Sequence, residues 1–135
     1  MNEESNLLTI QQLYAAFGKG DMKTILSLQA KDVEWSVAAP ADLIPWAGPV
    51  QGYDGLMRFM KIMDESLEVH KSEPREYFAK DDKIVVLAYE EGLAKSSGKP
   101  YEIDPVEVWT LRRGKVTRLR VYYDTAYMAS VLRRD

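Results

Sequence analysis

The stretch YEIDPVEVWTLRRGKVTRLRVYYD, residues 101–124, alternates apolar and polar side chains on both sides of a short turn. A period of two is typical of β-strands, and the segment RRGK at residues 112–115 indicates a hairpin between two of them. Successive side chains of a strand point to opposite faces, so Glu107 is predicted to share a face with Trp109 and Leu111. A carboxylate on an apolar face is costly unless it is hydrogen-bonded, protonated or near water. Glu107 is therefore the residue in this stretch that calls for a functional explanation.

Two environments remain open for Glu107. If it is buried, its pKa is raised, which suits a general acid or a hydrogen-bond donor. If it lies at the rim of the fold, it meets solvent or an arginine and has no chemical role. The face it occupies also depends on Pro105, because a slip of one residue there would turn the side chain to the other side of the sheet.

Apolar residues at helical spacing occupy the beginning of the chain. Ser5 is the predicted N-cap of a first helix, which ends at Gly18 or Gly20. Asp21 is the predicted N-cap of a short second helix. The start of the chain is therefore expected to be a pair of helices.

Strand patterns dominate the rest of the chain. Residues 33–37, VEWSV, predict a short strand, and residues 55–67 predict a third helix. Residues 68–79 follow as a long strand in which Pro74 indicates a bulge or a sheet edge. Residues 84–94, apolar on both faces, predict a central strand.

The order of these elements indicates one α+β domain over residues 1–135. Helices followed by antiparallel hairpins are typical of that class. The chain has 135 residues, of which 46% are hydrophobic and 29% charged, as in ordinary soluble globular proteins. No repeat or linker divides it.

Composition argues against several classes of partner. The net charge of −3 gives no general case for nucleic acid or an anionic membrane, and Arg118 and Arg120 are expected to lie on a solvated strand face. No apolar run approaches ~18 residues and the acidic N-terminal segment is unlike a signal peptide, so a cytoplasmic location is expected. The absence of cysteine excludes thiol chemistry, and a single histidine argues against a metal site.

A segment rich in proline and glycine, residues 38–55, precedes the third helix. A segment this long without regular structure is often a lid or a pocket rim, and Trp46 within it is hard to explain as core alone. Aromatic side chains could line a cavity for a flat apolar ligand, although most could equally be plain core. The predicted ligand-contacting residues are Trp35, Trp46, Tyr53, Phe59, Met63, Trp109 and Tyr123.

Two other titratable residues are candidates for proton transfer. Asp124 ends the last strand and precedes TAYMASVL, which predicts an N-cap of a terminal helix; a catalytic carboxylate at a pocket mouth is the alternative. His70 is the only histidine, and its charge changes near neutral pH. Its face depends on whether Pro74 shifts the strand register, and a surface position is favoured.

Three segments in order carry a family resemblance: YAAFGKGD, PWAGPVQGYDGLMRFM and SGKPYEIDPVEVWTLRRGKVTRLRVYYDTA. Through them the chain resembles, over about residues 7–132, the SnoaL-like branch of the NTF2-like superfamily, which includes ketosteroid isomerase, polyketide cyclases and related dehydratases. The resemblance implies a strongly curved antiparallel sheet wrapped around three helices into a cone, with a short C-terminal helix. It also implies a hydrophobic pocket at the wide end and a homodimer formed through the sheet.

The same resemblance assigns roles to individual residues. Tyr14 stands where ketosteroid isomerase has a tyrosine that holds the oxyanion, and Glu107 stands close to its protonated aspartate. The general-base aspartate would fall near Val37, where this chain has no carboxylate. A phenol and a neutral acid could still polarise a carbonyl. Cyclases of this branch use a pocket histidine or aspartate, so His70 or Asp124 could handle the proton.

The leading hypothesis is therefore a small cofactor-independent pocket protein. It is expected to bind a hydrophobic carbonyl or polycyclic compound, and to isomerise, cyclise or dehydrate it if it is an enzyme. The alternative is a non-catalytic ligand-binding or dimeric assembly module. A nucleic-acid binder that uses the Arg118 and Arg120 face ranks last.

Overall fold

Helices and one long strand come first and a run of strands follows in the computed structural model, which describes residues 2–134. In chain order the elements are α1 (Glu3–Lys19), α2 (Met22–Ser27), β1 (Gln29–Val37), β2 (Val50–Gln51), α3 (Gly52–Ser66), β3 (Leu67–Lys80), β4 (Lys83–Ala94), β5 (Pro100–Ile103), β6 (Val106–Arg112), β7 (Lys115–Tyr122) and α4 (Thr125–Leu132). The predicted α+β class is confirmed. Across the described residues, no helix is both long and apolar enough to cross a membrane.

The helix ends follow capping chemistry, with one correction to the sequence prediction. Asn2, not Ser5, is the N-cap of α1, and its side-chain oxygen accepts a hydrogen bond from the Ser5 amide at 2.8 Å. Ser5 lies one turn further in and completes a capping box. Gly20 ends the helix with φ +66°, a left-handed conformation that favours glycine. Asp21 caps α2 as predicted, through the Thr24 amide.

The strands form one sheet in the order β2-β1-β7-β6-β4-β3, and β5 also pairs with β4. All neighbouring pairs are antiparallel except β1 and β7, which are parallel. The stretch predicted as one strand from residue 101 is two strands, β5 and β6, both paired with β4. Pro105 lies in the gap between them, where it has no amide hydrogen to donate, and its carbonyl accepts from the Ala88 amide at 2.9 Å.

Bulges in β3 bend the sheet. The pairing of β3 with β4 shifts between Val69 and Lys71 and again between Pro74 and Glu76, so the predicted bulge at Pro74 is confirmed. A bulge leaves an extra residue on one strand and increases its local bend. Gly92 lies opposite the first bulge, where an added Cβ would come within 2.1 Å of the Glu68 carbonyl oxygen, so glycine is required there. The sheet is consequently curved, with α1 and α3 on its concave side.

The core lies between this concave face and the helices. Ile10 and Leu13 of α1 are fully buried against it, and Trp109 of β6 is 1% exposed. The ring of Trp35 packs on that of Trp109 with centroids 5.6 Å apart. The loop before β2 also folds back onto the core, because Trp46 is only 3% exposed. The loop therefore closes one side of the space between the sheet and the helices.

Candidate functional site

A cavity of about 650 Å³ remains between the concave face of the sheet, α1 and α3. Its walls are mainly aromatic and apolar, and they contain six of the seven predicted ligand-contacting residues: Trp35, Trp46, Phe59, Met63, Trp109 and Tyr123. The exposed side chains of Asp64, Glu68 and Lys95 also line it, which places an opening near the C-terminal ends of α3 and β4. A cavity of this size is within the range of small-molecule sites.

Three polar side chains from two elements meet in the cavity wall and form what we call the Glu107 triad: Tyr14, Glu107 and Trp109. Glu107 and Trp109 alternate along β6 and share its inward face, and Tyr14 approaches them from α1. The Trp109 indole Nε1–H donates to the Tyr14 hydroxyl oxygen at 3.2 Å. The Tyr14 hydroxyl in turn donates to Glu107 Oε1. Strand alternation singled out Glu107 and the family resemblance predicted both Tyr14 and Glu107, and the fold brings the two side chains together.

The environment of Glu107 favours its neutral form. Protein surrounds its carboxyl group, and the accessible surface that the residue keeps belongs to the cavity that it lines. This burial raises the pKa of Glu107 from 4.5 to about 7, because the charged form loses its hydration. Among residues 2–134, no lysine, arginine or histidine forms a salt bridge with it. A substantial fraction of Glu107 is therefore protonated at neutral pH.

Glu90, Tyr123 and Trp46 line the same cavity, and together with Tyr101, which bonds Glu90, they form what we call the Glu90 cluster. The Tyr101 hydroxyl donates to Glu90 Oε2 at 2.8 Å, and the Trp46 indole donates to the Tyr123 hydroxyl oxygen at 3.2 Å. Burial raises the pKa of Glu90, an effect that the hydrogen bond from Tyr101 opposes. Burial also raises the pKa values of Tyr101 and Tyr123, so both hydroxyls are protonated at neutral pH. Besides the exposed Asp64 and Glu68 at the opening, the cavity wall thus carries two carboxyl groups, those of Glu107 and Glu90, each with a tyrosine hydrogen-bonding partner.

His70 lies outside the cavity. It is the extra residue at the first bulge of β3, and its side chain is 48% exposed with Nε2 2.6 Å from Glu68 Oε2. The face of His70 is thus decided by a bulge at the residue itself, while the sequence interpretation tied it to Pro74. His70 itself is therefore not among the residues that line the cavity.

Asp124 and Tyr53 also lie outside the cavity. The Asp124 side chain accepts a hydrogen bond from the Tyr127 amide at 3.0 Å, so it is the N-cap of α4, as its place in the sequence predicts. Tyr53, in the first turn of α3, donates its hydroxyl to the Gln29 carbonyl oxygen at 3.1 Å and is 36% exposed. Both side chains are committed to backbone groups, and neither reaches the cavity wall.

Two residues of the cavity wall, Val37 and Glu90, bear on whether the site contains a general base. Val37, the position of the general-base aspartate in ketosteroid isomerase, is a buried apolar part of the cavity wall. Glu90 was missed by sequence reasoning because residues 84–94 were interpreted as apolar on both faces. The available signal was the alternation Val86, Ala88, Glu90, which places all three on one face of β4. In the region from residue 2 to 134, no group of three or more acidic or histidine side chains could hold a metal ion.

Comparison with known proteins agrees with this architecture. A family model described as a SnoaL-like domain matches residues 10–119, which is most of the chain. This chain belongs to the SnoaL-like family. None of the curated proteins is a detectable sequence relative.

Solved structures of NTF2-like proteins superimpose on this SnoaL-like chain over nearly its whole length. One from Burkholderia xenovorans is 31% identical with a TM-score of 0.88, covering 98% of this chain and 99% of its own. An NTF2-like protein of unknown function from Burkholderia pseudomallei is 25% identical, with a TM-score of 0.86 and coverages of 95% and 97%. TerC, crystallised with polyporic acid, is 29% identical, with a TM-score of 0.84 and coverages of 95% and 98%. The cone-shaped NTF2-like fold is therefore shown.

Proposed function

We propose that this SnoaL-like protein binds a hydrophobic small molecule with a carbonyl group, and that Tyr14 and Glu107 polarise that carbonyl. The proposal depends on the position of Glu107. Its carboxyl group is buried in the wall of an apolar cavity and hydrogen-bonded to a phenol, and this environment favours its protonated form. A protonated carboxyl in such a site can donate a hydrogen bond to a ligand. Because the site is buried, bulk water does not compete for that hydrogen bond. The reactions open to it are isomerisation, cyclisation and dehydration.

The hydrogen bonds of the triad direct the Glu107 proton. The Tyr14 oxygen already accepts from Trp109, so the Tyr14 proton is committed to Glu107 Oε1. A carboxylic acid carries its proton on one oxygen, and Oε1 is occupied as an acceptor. The proton of Glu107 therefore belongs on Oε2, where it can be donated to a ligand carbonyl. Charge that develops on the carbonyl oxygen during proton removal would be stabilised at that point.

The shape and lining of the cavity support a flat, mainly apolar ligand. Edge-on aromatic rings form the wall, with Trp35 close to perpendicular to both Phe59 and Trp109. Such rings provide large contact areas at low conformational cost. TerC, with 29% identity, was crystallised with polyporic acid, which supports an aromatic oxygenated ligand for this chain as well.

Titration with an aromatic ketone tests the binding proposal. All three tryptophans of the chain line the cavity, so intrinsic fluorescence reports its occupancy directly. We expect saturable quenching by acetylnaphthalene, with about 10-fold weaker binding of ethylnaphthalene, which has the same shape without the carbonyl. Polyporic acid is a second probe. N-acetyltryptophanamide in the same solutions corrects for light absorbed by the ligand.

The variant Tyr14→Phe tests whether the preference for the ketone arises at the Glu107 triad. Phenylalanine keeps the ring but cannot donate to Glu107, so the preference for the ketone over the hydrocarbon should decrease. The proposal is contradicted if neither probe quenches saturably, or if the ketone and the hydrocarbon bind with equal affinity to the unmodified protein.

A second proposal concerns assembly, because the outer face of the sheet carries an apolar patch between Arg120 and Glu76. Cross-strand pairs on this face join Phe78 to Val85, Val85 to Val108 and Leu87 to Val106. Phe78 is 53% exposed, and Tyr122 at the edge of the same patch is 46% exposed. An exposed patch of this kind favours burial against a partner, and we propose a homodimer through the sheet.

Sedimentation equilibrium tests the dimer. We expect twice the mass of one chain for the unmodified protein and the monomer mass for Val108→Glu, which places a charge at the centre of the patch. A circular dichroism spectrum identical to that of the unmodified protein would show that the variant is folded. A monomer at high micromolar concentration of unmodified protein would contradict the proposal.

A further inference from the structure

The Glu90 cluster has unused hydrogen-bonding capacity that faces the ligand cavity. Tyr101 bonds only Oε2 of Glu90, and within residues 2–134 no side chain or backbone group donates to Oε1. The Tyr123 hydroxyl accepts from Trp46 but has no acceptor for its own proton among the same residues. Glu90 and Tyr123 both line the cavity. The cluster therefore offers one free acceptor and one free donor to whatever occupies the cavity.

These two free groups lie at the same end of the sheet. Val106 pairs with Leu87 on one side and with Tyr122 on the other, and Glu90 and Tyr123 follow these two residues along the chain and line the same cavity. A hydroxyl group is the smallest ligand function that can use both at once, since it donates one hydrogen bond and accepts others. A ketone oxygen could use only the Tyr123 donor, and an ammonium group only the Glu90 acceptor.

The Glu90 cluster and the Glu107 triad are separated along the sheet. This separation sets how long a ligand must be to contact both. Glu107 pairs with Val86, and Glu90 is four residues further along the same inward face of β4. At about 3.3 Å per residue, Glu90 lies roughly 13 Å from Glu107 along the strand, and Tyr123, two residues beyond the Val121 that pairs with Glu107, lies roughly 7 Å along it. A ligand that contacts both sites therefore has its two oxygens several ångströms apart, as fused or linked aromatic rings allow.

We propose that Glu90 and Tyr123 form a hydroxyl-recognition site, and that the ligand is a flat hydroxyketone held at both ends. The carbonyl contacts the Glu107 triad and the hydroxyl, on the far side of the ring system, contacts the Glu90 cluster. The inference rests on the proposed function and adds the second functional group of the ligand. Tyr101 and Trp46 act as positioning residues, because each bonds one of the two contacting side chains.

A pair of probes tests this inference: acetylnaphthalene with and without a hydroxyl group at the far end of the second ring. Affinities are measured by tryptophan fluorescence and checked by calorimetry. We expect the unmodified protein to bind the hydroxylated ketone about 10-fold more tightly, as for the net contribution of one hydrogen bond. In Glu90→Gln and Tyr123→Phe the preference should fall below about 3-fold, while the parent ketone binds within about 2-fold of its original affinity.

Glu91→Gln is the matched control. Glu91 is the next residue of β4 and faces the outer side of the sheet, where it accepts a hydrogen bond from Tyr89. It should keep the full preference for the hydroxylated ketone. Unchanged binding of the parent ketone shows that the cavity of a variant is intact. Two variants of the Glu90 cluster are used so that the test stands if one of them fails to fold.

Each outcome decides the inference. Equal binding of the two ketones by the unmodified protein overturns the hydroxyl site but leaves the proposed carbonyl function standing. A preference that survives in both Glu90→Gln and Tyr123→Phe places the hydroxyl elsewhere and overturns it as well. Binding of neither ketone contradicts the proposed function and this inference together.

Discussion

Replacing Glu107 by glutamine is expected to lower the rate of ketone enolisation by about 100-fold while leaving ketone affinity within about 3-fold. Glutamine has the shape of the neutral acid, and its side-chain oxygen can still accept from Tyr14. Its amide is a far weaker acid than a carboxyl group, so it stabilises a developing oxyanion less well. The effect should therefore appear in the rate and not in the binding.

Deuterium exchange measures this rate without knowledge of the natural product. The acetyl protons of acetylnaphthalene are followed by NMR in deuterated buffer, where each exchange removes a proton to solvent through the enolate and returns a deuteron. Glu76→Gln is the control, since Glu76 is exposed on β3 and pairs with Leu87 on the outer side of the sheet. Equal exchange rates in the Glu107 variant and the unmodified protein would remove Glu107 from the chemistry. No acceleration by the unmodified protein would favour the non-catalytic binding module.

The contribution of Glu107 to stability is expected to fall as the pH rises from about 4.5 to about 7, because Glu107 binds its proton more tightly in the folded state. Its pKa is raised by burial, so its contribution is fully present below the unfolded value of 4.5 and is lost as the pH rises through the folded value. At about 1.4 kcal/mol per pKa unit, the loss is on the order of 3 kcal/mol.

Urea denaturation of the unmodified protein and Glu107→Gln isolates this contribution. Glutamine does not titrate, and the effects of other groups, including Glu90, cancel in the difference between the two proteins. We expect the stability of the variant relative to the unmodified protein to increase by up to about 3 kcal/mol between about pH 4.5 and pH 8. Parallel stability profiles would show that Glu107 titrates alike in the folded and unfolded states.

Glu107 could be predicted because its signal is local. Strand alternation depends on backbone geometry alone, and Glu107, Trp109 and Leu111 all lie within β6. Pro105 interrupts the pairing before β6 begins, so it does not change the face of any of the three. The partner Tyr14, 93 positions away, came only from the family resemblance.

The positions of His70 and Glu90 could not be predicted from strand alternation alone. The bulge between Val69 and Lys71 leaves His70 as an extra residue that points to solvent, and it arises where Gly92 allows the backbones to approach closely. Glu90 follows regular alternation, but β4 has two largely apolar faces. Which of them borders a cavity is decided by the helices that cover the sheet.

The sequence by itself determined the α+β class, the cap at Asp21 and the hairpin after β6; it favoured a cap at Asp124 and placed Glu107 on one face with Trp109 and Leu111. These follow from periodicity and from interactions between residues a few positions apart. Only the tertiary structure showed that a cavity remains between the sheet and the helices, that Tyr14 bonds Glu107 and that Glu90 lines the same cavity. A cavity is the volume left when distant elements pack around a bent sheet, and that volume is not encoded in any one segment.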